Sequence, residues 1–240
     1  DWDADGVKSD FWMNVLGEAT AYAQSTKGFT PYYYGEFIGG PDGVGIDAYT
    51  RYMSVTDTGA NNIREAVCNG NASAAASSGI TYGEGANKAV LWTESHDNFK
   101  DNGTRFISDH NINKTWALVG SRAEACGLYL ARPSNIDTTL MGQADVTSWS
   151  YPEVKAINQF KNYFVGQGEY LSSYNNLACV ERGTTGMVIV NVGGTYYNGM
   201  TAPVHTMEAG VYSDAITGNT FTVSDGYITG DIGDTGIAVV

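Results

Sequence analysis

The chain has 240 residues, of which 42% are hydrophobic and 16% charged, and its formal net charge is −13. No apolar run approaches the roughly 18 residues that a membrane-spanning helix needs, and the 13 basic residues are too scattered to neutralise the phosphates of a nucleic acid. We therefore expect a globular protein with neither a membrane nor a nucleic-acid partner. Its 16 tyrosines suit a neutral, hydroxyl-rich ligand, because aromatic rings offer flat apolar faces beside a polar group.

The first segments alternate between helix and strand. Residues Ser9 to Thr26 carry apolar side chains at helical spacing behind a serine that can cap the helix start, which predicts a helix. The next run, Phe29 to Phe37, is rich in β-forming residues and leads into a glycine-rich loop. We predict a strand there, with Glu36 near its carboxyl end.

This alternation continues to residue 165. We predict further strands over 51–55, 88–94 and 125–131 and further helices over 61–69, 113–122 and 152–164. Short apolar strands separated by helices indicate a parallel sheet covered by helices, and four such units are half of an eight-stranded βα barrel. An open doubly wound sheet fits the same pattern, although no glycine-rich dinucleotide-binding motif follows any strand.

The pattern changes after Gly166. Short apolar runs are now separated by turn pairs such as Gly193-Gly194 and Asn198-Gly199, and no helical periodicity is present. The predicted strands are 177–180, 186–192, 210–212, 220–223 and 236–240. We therefore predict two domains, an α/β domain over residues 1–165 and a small antiparallel β-sandwich domain over residues 166–240.

The three cysteines, Cys68, Cys126 and Cys179, are too few and too widely spaced for a disulfide scaffold or a metal site. They can form one disulfide at most. We expect them to be small buried hydrophobic residues instead.

Two groups of polar residues lie at predicted strand ends, where the active sites of βα barrels are found. Glu36 follows three tyrosines, and an aromatic neighbourhood raises the pKa of a carboxyl group by desolvation, as a general acid requires. The second group, 94–98 (Glu-Ser-His-Asp-Asn), directly follows a buried strand. A capping glutamate and a structural hydrogen-bond network are the alternatives to a catalytic role.

These residues carry a family resemblance. The segments YYYGEF and LWTESHDNF resemble the third and fourth signature regions of the alpha-amylase family of glycoside hydrolases. The segments SDFWMNVL and GLYLARP and the C-terminal β region also resemble the family's layout, so the likeness covers essentially the whole chain. It implies that residues 1–165 are strands five to eight of a (β/α)8 TIM-type barrel, the second half of the catalytic domain.

The resemblance also implies roles for particular residues. Glu36 resembles the general acid/base, Asp97 the aspartate that stabilises the transition state, and His96 its substrate-binding neighbour. Three aromatic residues are candidates for stacking on glucose rings, with a place in the hydrophobic core as the alternative for each. They are Tyr34, Tyr82 and Trp92.

The family's nucleophile, an aspartate at the end of the fourth strand, has no matching segment here. The family pattern places it upstream of Asp1, and none of Asp3, Asp5 or Asp10 has the required sequence context. We therefore expect a longer polypeptide in which an N-terminal half of the same enzyme supplies the nucleophile, and we expect residues 1–240 alone to be neither stable nor active.

The function implied is retaining endo-hydrolysis of α-1,4-glucosidic bonds in starch-like polysaccharides or oligosaccharides by an extracellular enzyme. Calcium is a further implied ligand, bound mainly by residues outside this chain, and no metal site is assigned within it. The alternatives are a non-catalytic α-glucan-binding homologue and a transglycosylase, or a hydrolase of another α-glucosidic bond, in the same family.

Overall fold

A parallel sheet, a layer of helices and two antiparallel sheets make up the part of the chain that the structure describes. The computed structural model describes residues 11–36, 50, 53–143 and 147–240, with only the backbone for 11–13. The α-helices are α1 (Phe11–Lys27), α2 (Gly59–Cys68), α3 (Ala72–Ala75), α4 (His96–Lys100), α5 (Asp109–Gly120) and α6 (Pro152–Tyr163). Within these ranges no helix has the length and apolar character needed to cross a membrane.

The parallel sheet has four strands in the order β1-β2-β3-β4. Its strands are β1 (Tyr34–Gly35), β2 (Ser54–Asp57), β3 (Ala89–Trp92) and β4 (Cys126–Leu128). Each is shorter than its predicted segment, and β2 ends two residues later than predicted. The parallel arrangement confirms the α/β pattern, since helices α2 and α5 pack beside the sheet and bury Ile63 and Leu118.

Helix α5 begins four residues earlier than predicted. Its start is set by Ser108, whose hydroxyl accepts a hydrogen bond from the Asn111 N–H at 3.3 Å, with Asp109 in the first turn. A serine cap followed by an acidic residue satisfies free N–H groups and the helix dipole. Helix α6 begins at Pro152, as predicted, because proline suits the first helical turn.

Two antiparallel sheets, ordered β12-β7-β6-β5 and β8-β11-β10-β9, follow in the chain. Their strands are β5 (Glu169–Tyr174), β6 (Leu177–Arg182), β7 (Gly186–Asn191), β8 (Tyr197–Pro203), β9 (Gly210–Ser213), β10 (Thr220–Ser224), β11 (Tyr227–Ile232) and β12 (Ile237–Val239). Strands β5, β8 and β11 were not predicted. The sequence predicts a turn at Asn198-Gly199. The pair instead lies inside β8, where Gly199 adopts a positive φ of 61°.

Strands β6 and β7 are buried along their whole length because each of their two faces belongs to a different hydrophobic core. Residues that face the helices are Ala178, Val180, Val188 and Val190. Residues that face the second antiparallel sheet are Leu177, Cys179, Met187 and Ile189. In β7 the period of two thus places Val188 and Val190 against the helices and the larger Met187 and Ile189 between the sheets.

Two cationic side chains, the buried Arg182 of β6 and the half-buried Lys161 of α6, bind backbone carbonyls near the ends of the helices. The Arg182 guanidinium, fully buried, donates to the carbonyls of Ser121 and Phe164, both at 2.6 Å. Lys161 donates to three carbonyls between residues 122 and 125. These carbonyls lie at chain segments that leave α5 and α6, where backbone acceptors have no helical partner.

Two further expectations concern the domain boundary and the cysteines. Helix α6 ends at Tyr163 and strand β5 begins at Glu169, so the boundary predicted at residues 165 and 166 falls in their connection; the division into two domains stays a prediction. All three cysteines are free thiols. Only Cys179 is buried, so the expectation of burial is wrong for Cys68, which is exposed, and for the half-buried Cys126.

Candidate active site

The two predicted catalytic carboxylates lie along the carboxyl edge of the parallel sheet. Glu36 directly follows β1, and Asp97 comes five residues after the end of β3. Strand β2 pairs with both β1 and β3, so one strand separates the two positions. With neighbouring strands about 4.8 Å apart, the strands that carry them are about 10 Å apart. The chain therefore places both carboxylates on one edge, as the sequence predicts.

The surroundings of Glu36 differ from the expectation. Its side chain is exposed, so the aromatic enclosure that three preceding tyrosines suggest is not found among the described residues. The rings of Tyr32 and Tyr34 stack on each other with centroids 6.3 Å apart, and the Tyr34 side chain is also exposed. Residues 37–49 lie outside the described part of the chain. Tyr34 thus presents an aromatic face to solvent two residues before the carboxylate.

His96 and Asp97 occupy the first turn of α4, a short helix that sequence periodicity does not reveal. Ser95 caps this helix by accepting a hydrogen bond from the Asn98 N–H at 3.1 Å. The His96 Nε2 atom lies 3.5 Å from Asp97 Oδ1, and their side chains are 72% and 58% exposed. Both side chains are therefore accessible to a ligand at the sheet edge.

Glu94 has a different environment from its neighbours in the same polar run. Its carboxylate is buried and receives a bidentate pair of hydrogen bonds from Arg132, Nε–Oε1 at 2.5 Å and Nη2–Oε2 at 3.0 Å. Arg132 lies 38 residues later, and the sequence gives no signal that pairs the two. Burial excludes Glu94 from direct contact with a ligand.

A second pair of carboxyl groups lies near the site without facing it. Asp57 ends β2, but its oxygens accept hydrogen bonds from the backbone of Gly59 and Thr81, both at 2.6 Å, and from the Thr81 hydroxyl at 2.5 Å. Burial, and after it the neighbouring Asp57, raise the pKa of Glu84 to about 7. These contacts connect the start of α2 to the loop before β3, so the pair belongs to the helical layer.

The remaining predicted sugar-binding residues have distinct positions. Trp92 is the last residue of β3 and half-buried, and within the described structure its buried Nε1 atom has no hydrogen-bond partner. The hydroxyls of Tyr82 and Thr58 lie 2.7 Å apart. Tyr34 belongs to β1, Trp92 to β3, and Tyr82 to the loop that contacts Asp57, so only the first two lie on strands that lead to the predicted carboxylates.

The two other histidines lie away from the predicted carboxylates in the chain. His110 lies in α5. His205 lies in the loop after β8 and contacts Glu181, with His205 Nδ1 2.9 Å from Glu181 Oε1. The His205 ring also stacks on that of Tyr170, with ring centroids 4.1 Å apart. The sequence gives no signal for the contact with Glu181, because that residue lies 24 positions earlier.

The described ranges contain no group of three or more histidine, cysteine, aspartate or glutamate residues that could hold a metal ion. The predicted calcium, bound mainly outside this chain, stays a prediction.

Known proteins similar to this chain are alpha-amylases. The chain is 30% identical over 234 residues to an alpha-amylase of Clostridium acetobutylicum, an alignment that covers 96% of this chain and 29% of that protein. It is 27% identical over 269 residues to an alpha-amylase of Butyrivibrio fibrisolvens, which covers 99% of this chain and 27% of the relative. The resemblance to the alpha-amylase family is confirmed. No protein-family model matches the chain.

The fold is also similar to that of a solved alpha-amylase. The structure of a mutant alpha-amylase I in complex with maltohexaose, from Eisenia fetida, superposes with a TM-score of 0.61 at 18% identity. That superposition covers 89% of this chain and 54% of the amylase chain. The chain thus spans under a third of the curated relatives and about half of this solved structure.

Proposed function

We propose that this chain is the C-terminal part of a retaining α-glucan hydrolase that cleaves internal α-1,4-glucosidic bonds. The observation that carries the proposal is the placement of Glu36 and Asp97, both solvent-exposed, on one edge of the parallel sheet. Similarity to alpha-amylases over nearly the whole chain supports an α-glucan as the substrate.

The proposed mechanism gives each side chain one task. Glu36 protonates the departing glycosidic oxygen and then removes a proton from the attacking water. Asp97 stays ionised and stabilises the positive charge that develops on the sugar ring, with His96 beside it. A retaining reaction also needs a nucleophilic carboxylate about 5–5.5 Å from the acid/base. We propose that an upstream segment supplies it.

The parallel sheet also supports a proposal for the fold of the complete catalytic domain. Four parallel strands flanked by helices match strands five to eight of a (β/α)8 barrel. Strand β1 has β2 on one side and no neighbour on the other among the described residues. We also propose an extracellular location, which agrees with a polymeric substrate.

Replacing the two carboxylates in the full-length protein tests this function. We expect Glu36→Gln to lower starch hydrolysis by about 10² to 10⁴-fold, because the amide cannot deliver a proton. Asp97→Asn should lower it by about 10² to 10³-fold, because the stabilising charge is lost. Starch binding, measured by retardation in a starch-containing gel, should persist in both variants.

Matched controls are Glu18→Gln in the exposed face of α1 and Asp101→Asn four residues after Asp97; both should hydrolyse starch normally. Near-normal hydrolysis by Glu36→Gln contradicts the role of Glu36. If the full-length protein binds starch but never cleaves it, it is a non-catalytic α-glucan-binding homologue. Formation of longer products in the presence of an acceptor sugar identifies a transglycosylase.

A further inference from the structure

A buried ion pair lies directly before the segment that carries His96 and Asp97. Glu94 and Arg132 are 2% and 7% exposed, and their fork-shaped contact uses both carboxylate oxygens and two guanidinium nitrogens. Bidentate pairs of this kind fix orientation as well as charge. Only two residues separate Glu94 from Asp97. An ion pair that fixes the orientation of Glu94 therefore also constrains the start of α4.

Arg132 binds more than Glu94. Its Nη1 atom donates to the Ile107 carbonyl at 2.7 Å and to Asp109 Oδ1 at 2.9 Å, and Nη2 donates to the Thr104 carbonyl at 2.9 Å. The Thr104 N–H in turn donates to the carbonyl of Asn98, in α4, at 3.1 Å. One guanidinium therefore joins the end of β3, the loop after α4 and the start of α5.

A second buried arginine holds the same strand end through the peptide before Glu94. Arg64, in α2, donates from Nη1 to the Thr93 carbonyl at 2.7 Å and to Asn61 Oδ1 at 2.7 Å. Residues 93 and 94 are thus held by arginines from two different elements. By contrast, the Asp97 side chain is largely solvent-exposed, so its position depends on the backbone of this segment.

We propose that Glu94 and Arg132 are positioning residues that hold the Asp97 carboxylate in its working place. This inference rests on the proposed function. Neither side chain touches the substrate; both act through α4, whose Phe99 is fully buried with the Arg132 guanidinium 5.7 Å from its ring centre. A displacement of about 1 Å at a reacting group can lower the rate about 100-fold, so loosening this network should slow the chemical step.

The test uses Glu94→Gln and Arg132→Lys in the full-length protein. Glutamine keeps the shape of the side chain but removes the charge, and lysine keeps the positive charge but cannot form the fork. We expect kcat on soluble starch to fall about 10- to 100-fold in both variants, at temperatures where they are folded. KM should change less than about threefold, because the sugar-contacting groups remain.

The chain offers a matched control in the Arg122–Glu169 pair. It is also bidentate, with Arg122 Nε 3.1 and 3.0 Å from the Glu169 oxygens, and it lies between the end of α5 and the start of β5. Glu169→Gln should lower Tm as Glu94→Gln does while leaving kcat unchanged. If Glu94→Gln and Arg132→Lys also keep the wild-type kcat when folded, the pair is only structural and the inference is wrong.

Hydrogen exchange gives a readout that does not depend on hydrolysis. We expect faster amide exchange over residues 95–107 in Glu94→Gln but not in Glu169→Gln, since the Phe99 and Thr104 N–H groups bond within this segment. Unchanged exchange there overturns the inference. If the full-length wild type fails to cleave starch while this segment still loosens in Glu94→Gln, the proposed function fails and the positioning of α4 stands.

Discussion

Asp57 and Glu84 are neighbouring carboxyl groups that ionise differently because their hydrogen-bond partners differ. Burial acts to raise the pKa of Asp57, but hydrogen bonds from the Thr81 hydroxyl, the Thr81 N–H and the Gly59 N–H outweigh it and lower the pKa. For Glu84, burial and the adjacent Asp57 together raise the pKa to about 7. At pH 7 Glu84 is thus about half protonated, whereas a free glutamate would be almost fully ionised.

The stability of the fold should depend on pH through Glu84. Its pKa in the folded state exceeds the ordinary value of 4.5, so the folded chain keeps a proton that the unfolded chain releases. This contribution is complete below pH 4.5 and is lost as the pH rises through 7. We expect Glu84→Gln to raise the free energy of unfolding at pH 8 by at most about 3 kcal/mol and to change it little at pH 4.

Urea unfolding at the two pH values measures this difference. The exposed Glu124 provides a control, since Glu124→Gln should leave the pH dependence as it is in the wild type. Parallel stability curves for Glu84→Gln and the wild type would falsify the assignment of a raised pKa to Glu84.

Among the elements, strand β6 and the segment after β8 are joined by one carboxylate. The buried Glu181 accepts hydrogen bonds from the N–H groups of His205, Thr206 and Met207, at 2.7 to 3.3 Å. It also accepts from the Thr206 hydroxyl at 3.0 Å. Despite burial, which acts to raise it, these donors lower the pKa of Glu181. The residue therefore joins β6 of the first antiparallel sheet to the segment that connects β8 and β9 of the second.

Removing this carboxylate should destabilise the β region strongly. We expect Glu181→Ala to lower the free energy of unfolding by about 3 kcal/mol, because several buried N–H groups lose their acceptor. Differential scanning calorimetry at pH 7 gives the measurement. Glu208→Ala, in the same segment but exposed, should cost less than about 0.5 kcal/mol. Equal losses in the two variants contradict this role for Glu181.

Sequence reasoning recovers elements whose signals are local and misses contacts between distant residues. The apolar run before Glu94 and the proline at the start of α6 are visible in the chain itself, and both predictions are confirmed. The hydrogen bond between Glu181 and His205 joins residues 24 positions apart. The sequence pattern does not distinguish Glu181 from the other carboxylates that could have been the partner of His205. For the same reason Glu36 and Asp97 can be placed at strand ends from sequence, whereas the support from Arg132 cannot.

At the scale of the whole molecule, helices α5 and α6 have two covered sides. Helix α5 packs against β3 and β4 on one side and against β6 and β7 on the other, whereas α6 packs against α5 and β12. Lys114 adds a link, since this buried α5 side chain donates to the Gly194 carbonyl after β7. A shared helical layer of this kind makes the parallel sheet and the antiparallel sheets depend on each other for stability.

Replacing Arg182 tests whether the parallel sheet and the antiparallel sheets depend on each other for stability. The Arg182→Met substitution leaves the buried Ser121 carbonyl without its donor and the Phe164 carbonyl with only the Gln167 N–H. It should lower the free energy of unfolding by about 1–3 kcal/mol. We expect faster amide exchange in both α6 and β6, because the contact belongs to both. Lys155→Met, on the exposed side of α6, is the control. Loosening confined to β6 would contradict a shared layer.

The two-faced strands β6 and β7 also determine where the chain tolerates changes in length. Deleting one residue inside β7 would exchange its faces, so that Met187 and Ile189 would point at the helices and Val188 and Val190 at the second sheet. The helix side would then be overfilled and the inter-sheet side underfilled. Insertions and deletions among homologues should therefore concentrate in the turn at 193–195 and be absent from the strand itself.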